Sequence, residues 1–267
     1  MEKNNEHEQE IKETIRKRYS KIALQQGNNA SSSSFASCCA PECCSGSGGG
    51  DSPVHIATVV GYDTNELESV PQTSILGVGC GAPVKFADLR DGETVVDLGS
   101  GAGIDVFLSS KQVGAQGRVI GVDMTDEMLE RARKNAKKDG YTNVDFRKGD
   151  IEKRIPINAH SADVVISNCV INLTINKENV FKEVFRILKN GGGRMVISDL
   201  IADSEIAPSA ANTEKWSSCI DGASTKEHYL DSIRKVGFQN VEVLSEQPYI
   251  EYRGEQKESR KITSTVI

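Results

Sequence analysis

Several features that would mark a secreted, membrane-bound or nucleic-acid-binding chain are missing from this sequence. No stretch approaches the roughly 20 continuous apolar residues of a membrane span. The N-terminal "MEKNNEHEQEIKETIRKRY" is dense in charge and has no apolar signal core. Nor is there an excess of positive charge: at a formal −6, nothing in the composition draws the chain to nucleic acid or to an anionic membrane. Histidine is scarce, and the four copies (His7, His55, His160 and His228) share no metal-ligand spacing, so none is assigned a role. The cysteines number seven, an odd count that argues against a closed disulfide framework. These absences lead to the expectation of a cytoplasmic protein, in which thiols serve as buried fillers, ligands or reactive groups.

What is present suits one full domain with extensions, since 267 residues exceed a typical single domain and 37% of them are apolar. Ile11, Ile15, Tyr19 and Ile22 recur at helical spacing, which predicts an amphipathic helix over residues 8–25. The following "GNNASSSSFASCCAPECCSGSGGGDSP" is too rich in Ser, Gly and Asn to offset its ordering entropy, and reads as a flexible arm. Residues 1–50 are thus expected to form a helix and arm, and residues 51–267 the main domain. Within it, residues 51–90 read as a cap of turns and helix around "PQTSILGVGCGAP". The glycines on either side of Cys80 suggest an accessible loop there. Residues 91–200 read as the core, and 201–267 as an acceptor-site loop with C-terminal elements.

From Thr94 the pattern is regular. "TVVDLG", "RVIGVD", "NVDFRKGD", "ADVVIS" and "RMVISDL" read as strands, and residues 103–113, 125–139 and 177–189 as helices between them. Thr125 stands where a helix N-cap is wanted. After a loop over 201–224, a helix at 225–236 and a strand around "NVEVLSE" are expected. Strands alternating with helices predict an α/β fold, a Rossmann-like parallel sheet with helices on both faces.

"VVDLGSGAGID" leaves the first strand with Gly99, Gly101 and Gly103 at G-x-G-x-G spacing. Such turns let backbone amides approach a nucleotide closely. Asp97 before the turn suits an ammonium group and would repel a phosphate. Asp123 ends the second strand where an acid takes ribose hydroxyls, and Asp150 follows the third, placed to accept from an adenine amine with Ile151 against the ring. Over about residues 90–200 this resembles the class I methyltransferases that use S-adenosylmethionine.

Three cysteines surround that region. Cys169, in "ISNCVINL", follows the fourth strand; Cys80 lies in the cap; Cys219, in "KWSSCIDGA", lies in the loop after the fifth. Each alone suits a buried filler. Together they suggest convergence on a thiophilic, trivalent metalloid, because soft thiolates select soft centres. "GVGCGAP", "VVDLGSGAGID", "GVDMT", "ISNCVINL" and "KWSSCIDGA", in that order, resemble the arsenite S-adenosylmethionine methyltransferases over roughly residues 55–245. The resemblance implies that Cys80, Cys169 and Cys219 are arsenic ligands. It also implies a donor site lined by Asp97, Gly99, Ser100, Gly101, Gly103, Asp123, Met124, Asp150, Ile151 and Asn168.

Arsenic is then the substrate, S-adenosylmethionine the methyl donor, and an external thiol, thioredoxin or glutathione, the reductant, with thioredoxin a candidate protein partner. Of Cys38, Cys39, Cys43 and Cys44, the last is a candidate redox or transfer thiol; a zinc site or an inert tail are the other readings of that cluster. Two rival functions stay open at this point. One is methyl transfer to a small organic carbon, oxygen or nitrogen acceptor. The other is a non-enzymatic thiol protein that buffers metalloid or senses redox state.

Overall fold

The computed structural model describes residues 2–25, 52–253 and 259–267. Its helices are α1 (Glu2–Gln25), α2 (Pro53–Val59), α3 (Thr64–Glu68), α4 (Ile104–Gln112), α5 (Asp126–Lys138), α6 (Lys177–Ile187), α7 (Thr213–Ser217) and α8 (Lys226–Val236). Its strands are β1 (Thr94–Leu98), β2 (Arg118–Asp123), β3 (Val144–Lys148), β4 (Val164–Asn168), β5 (Arg194–Ala202), β6 (Ser245–Arg253) and β7 (Ser259–Val266). They form one sheet in the order β3-β2-β1-β4-β5-β7-β6. The first five run parallel, while β7 is antiparallel to β5 and β6 antiparallel to β7.

Alternation along each strand divides the core between the two faces. On β1, Val95 packs with Phe107, Leu129 and Val164. Its neighbour Val96 packs on the other side with Phe181, Val184 and Ile197. This two-sided burial explains why the central strands read as mainly apolar runs and not as alternating ones. The helical stripe of α1 also found a partner: Ile11 and Ile15 are fully buried, in one cluster with Trp216, Leu200 and the three cysteines.

The strand order reverses between β1 and β4, so the crevice at their carboxyl ends is the ligand site expected of an open α/β sheet. Gly99 follows β1 and Cys169 follows β4 at that crevice.

Three local expectations need correction. The C-terminal strand starts only at Ser245, because Val241 and Val243 pack their side chains on the core while the ladder to β7 forms further on. The loop over 201–224 contains α7. Thr125 stands at the N-cap of α5, but its side chain caps nothing; its amide instead donates to Asp123 Oδ1 at 2.8 Å. Among the described residues no helix is long and apolar enough to cross a membrane. Cys38, Cys39, Cys43 and Cys44 lie outside the described residues.

Candidate functional site

The crevice is built around the turn after β1. Gly99 adopts φ +68°, and a Cβ there would lie 2.5 Å from Val170 Cγ2. Only glycine lets this turn lie against the segment that carries Cys169. The turn is braced from β2: the Gly101 amide donates to Asp123 Oδ2 at 2.9 Å. Asp97, Ser100, Met124, Asp150, Ile151 and Asn168 line the same cavity, with Ile15 and Tyr19 of α1 on its far wall. Gly103 stands behind it as the left-handed N-cap of α4. Lys12 of α1 reaches the rim, with its Nζ 2.6 Å from Glu152 and 3.6 Å from Asp150.

Two buried carboxyls, Asp97 and Asp105, and the half-buried Asp123 share this crevice. Burial raises Asp97 well above the usual carboxylate range, and the charges of Asp105 and Asp123 push the same way. Burial also raises Asp105, to about 6, against hydrogen bonds from Tyr62 and Asn168. Asp123 is raised by burial too, opposed by the amides of Thr125 and Gly101. Like charges this crowded are relieved by a cationic guest and aggravated by an anionic one.

Asn168 ties this wall to Cys80. Its Nδ2 donates to Tyr62 Oη at 2.8 Å and to the Gly81 carbonyl at 2.7 Å, and its Oδ1 accepts from the Cys80 amide at 3.1 Å. Tyr62 Oη in turn donates to Asp105 at 2.8 Å. Cys80 is therefore 1% exposed, which overturns the accessible loop expected from its glycines. The glycines answer to close approach: a Cβ on Gly81 would lie 2.0 Å from Ser198 Oγ.

Cys169 and Cys219 are also buried. Both hold left-handed backbone, at φ +57° and φ +66°, a region that L side chains avoid. Cys219 Sγ donates to the Cys169 carbonyl at 3.0 Å. The Cys169 thiol is pushed well above its ordinary pKa by its contacts with the thiols of Cys219 and Cys80, and then by burial. For Cys219, contact with the Cys169 thiol acts downward, yet burial with the charges of Asp199 and Cys80 leaves it raised. Cys169 and Cys219 are thus protonated thiols near neutral pH. The Sγ atoms of Cys80 and Cys169 and a carboxylate oxygen of Asp199 lie within 4.8 Å of one another. Trp216, on α7, is buried beside them, its Nε1 donating to the Leu173 carbonyl at 3.1 Å.

A methyltransferase domain family matches residues 89–237, the span that holds the crevice. The chain belongs to that family. It is 42% identical over 194 residues to an arsenite methyltransferase of Halobacterium salinarum, which covers 72% of this chain and 49% of that protein. An arsenite methyltransferase of Mus musculus is 38% identical over 172 residues, covering 60% of this chain and 44% of that protein. Among solved structures, an arsenic(III) S-adenosylmethionine methyltransferase from Chlamydomonas reinhardtii superposes with a TM-score of 0.63 at 32% identity, over 80% of this chain and 72% of that one. This chain spans about half the length of those curated relatives.

For a methyltransferase domain, several buried groups carry weight that sequence reading had missed. Asp199 on β5 is fully buried and accepts from Tyr229 Oη at 3.0 Å and from the Leu200 amide at 3.0 Å. Burial raises it to about 6, with the nearby Lys177 ammonium pulling down. An acid inside the apolar run "MVISDLIA" was the available signal. Asp105 and Tyr62 had weaker ones, since only the fold brings the cap tyrosine to α4.

Proposed function

We propose that this methyltransferase transfers a methyl group from S-adenosylmethionine to trivalent arsenic, taking arsenite first and its monomethylated form next, in arsenic detoxification. The carrying observation is that Cys169 lines the donor crevice and its buried thiol contacts those of Cys80 and Cys219, which come from two other segments. The acids of the crevice suit the donor, which brings an ammonium and a sulfonium to a site already crowded with carboxyls.

Cys169 and Cys219 meet arsenite in protonated form. Each exchange forms one As–S bond, and the thiol proton leaves with the displaced hydroxyl as water. Three exchanges leave the arsenic lone pair opposite the sulfurs. That lone pair attacks the sulfonium methyl, and the electrons of the breaking C–S bond stay on sulfur as S-adenosylhomocysteine forms. No general base is needed to create the nucleophile, so positioning supplies much of the rate gain. Arsenic is formally oxidised from +3 to +5. Two thiols closing to a disulfide return the two electrons, and an external thiol, thioredoxin or glutathione, reopens it. Cys44 is the candidate for a redox or transfer thiol. Conversion of S-adenosylmethionine to S-adenosylhomocysteine should require arsenite, and an arsenite-independent rate on an organic acceptor would favour the rival methyltransferase reading.

A further inference from the structure

The turn that follows Cys219 is pinned by two cations from outside it, neither of which takes part in the steps above. Arg260, on β7, is buried at 7% exposure. Its Nε donates to the Ser204 carbonyl at 2.8 Å, its Nη1 to the Ile220 carbonyl at 2.6 Å, and its Nη2 to the Ala223 carbonyl at 2.5 Å. Lys177, in the first turn of α6, donates from Nζ to the Gly222 carbonyl at 2.7 Å. Of the four residues after Cys219, three therefore have their carbonyls held by a charged donor. The turn has little room to adjust in any other way, because a Cβ on Gly222 would lie 1.9 Å from the Asn172 carbonyl oxygen.

The charges of Asp221, Asp203 and Glu205 offset part of the burial of this guanidinium, and its three donors go to carbonyls that bracket the turn. The turn's geometry calls for such bracketing. Cys219 follows Ser218, the C-cap of α7, at a left-handed position where helices ordinarily place glycine. Left alone, this backbone would relax toward right-handed φ and carry the thiol away from Cys169. The rigid fork of an arginine fixes several acceptors at once in a way that a single ammonium does not.

We propose that Arg260, assisted by Lys177, is a positioning residue for Cys219, holding its turn so that the third thiol reaches the arsenic bound by Cys80 and Cys169. The inference rests on the arsenic reading given above. It concerns only the third As–S bond, and leaves the donor crevice alone.

Arsenic K-edge absorption on the full chain loaded with one equivalent of arsenite tests it, with Michaelis constants for both substrates measured alongside. Wild type should show three As–S bonds, and Cys219→Ser two As–S and one As–O. Arg260→Met should resemble Cys219→Ser, with the KM for arsenite raised at least tenfold and that for S-adenosylmethionine within twofold of wild type. Arg260→Lys should not restore the third sulfur, whereas a purely space-filling or stabilising role would be largely rescued by it. Lys177→Met should shift the arsenite KM in the same direction by a smaller factor. Should Arg260→Met lose donor binding through misfolding, Arg260→Lys and Lys177→Met decide the matter. Three As–S bonds and an unchanged arsenite KM in the folded variants would overturn the inference. Fewer than three As–S bonds in wild type would instead overturn the arsenic reading beneath it.

Discussion

The thiol of Cys219 donates to the main-chain carbonyl of Cys169 at 3.0 Å, and both residues hold left-handed backbone. Two of three clustered cysteines thus sit where glycine would be easier. Packing alone does not account for this, because a small apolar filler is just as good on relaxed backbone. Strained backbone persists only where the surrounding structure over-determines it, and it clusters at functional sites.

This strain is measurable. Relief of a left-handed Cβ, less the extra chain entropy of glycine, should make Cys219→Gly more stable than Cys219→Ala by about 0.5–1 kcal/mol. Urea unfolding of the two variants measures the gap. An alanine variant as stable as the glycine one would show that the backbone is unstrained.

Asp199 should give stability a pH dependence of known sign. Its folded pKa is raised to about 6 from 3.8. The resulting stabilisation is full below about pH 4 and is lost as pH rises through about 6, because the folded chain must then ionise a buried group. At about 1.4 kcal/mol per unit the loss is on the order of 3 kcal/mol. Asp199→Asn should remove that part of the decline between pH 4 and 7. Parallel pH profiles for variant and wild type would contradict the assignment.

Asp123 holds the Gly101 and Thr125 amides and lines the crevice proposed for the donor. Asp123→Ala should weaken S-adenosylmethionine binding by about 1.5–3 kcal/mol, the range for hydrogen bonds to a charged group. Calorimetry finding wild-type affinity would remove Asp123 from the donor site.

Trp216 reports on the thiols. A reading of its loop as open until arsenic binds would lead to a blue shift on closure, but the indole is already buried and hydrogen-bonded to the Leu173 carbonyl. Arsenite should therefore change the emission intensity saturably with little shift in wavelength. Cys219→Ser should lose the response, while Asp123→Ala keeps it. A large blue shift in wild type would mean that this loop is open in solution.

The central sheet was legible because β1, β2, β4 and β5 announce themselves as largely apolar stretches next to Gly or Asp, while the charged β3 was placed by its position between two helical segments. The glycine turn and Asp123 were equally plain, since their spacing is local. The last two strands were harder: the ladder of β6 with β7 is set by partners, and residues such as Pro248 and Arg260 carry no strand signature. Cys80 was misjudged because flanking glycines signal both exposed turns and tight backbone approach, and only the position of Ser198 tells which applies. Asp199 and Tyr62 were missed because their role depends on contacts with Tyr229, Asn168 and Asp105, far away in sequence.

The central claim is that the three buried thiols hold arsenic for methylation. Formation of S-adenosylhomocysteine with arsenite as the only acceptor, compared between wild type and Cys169→Ser, tests it most directly. Wild type should turn over only when arsenite is present, and Cys169→Ser should still bind S-adenosylmethionine but form no S-adenosylhomocysteine. Wild-type turnover in Cys169→Ser would contradict the account.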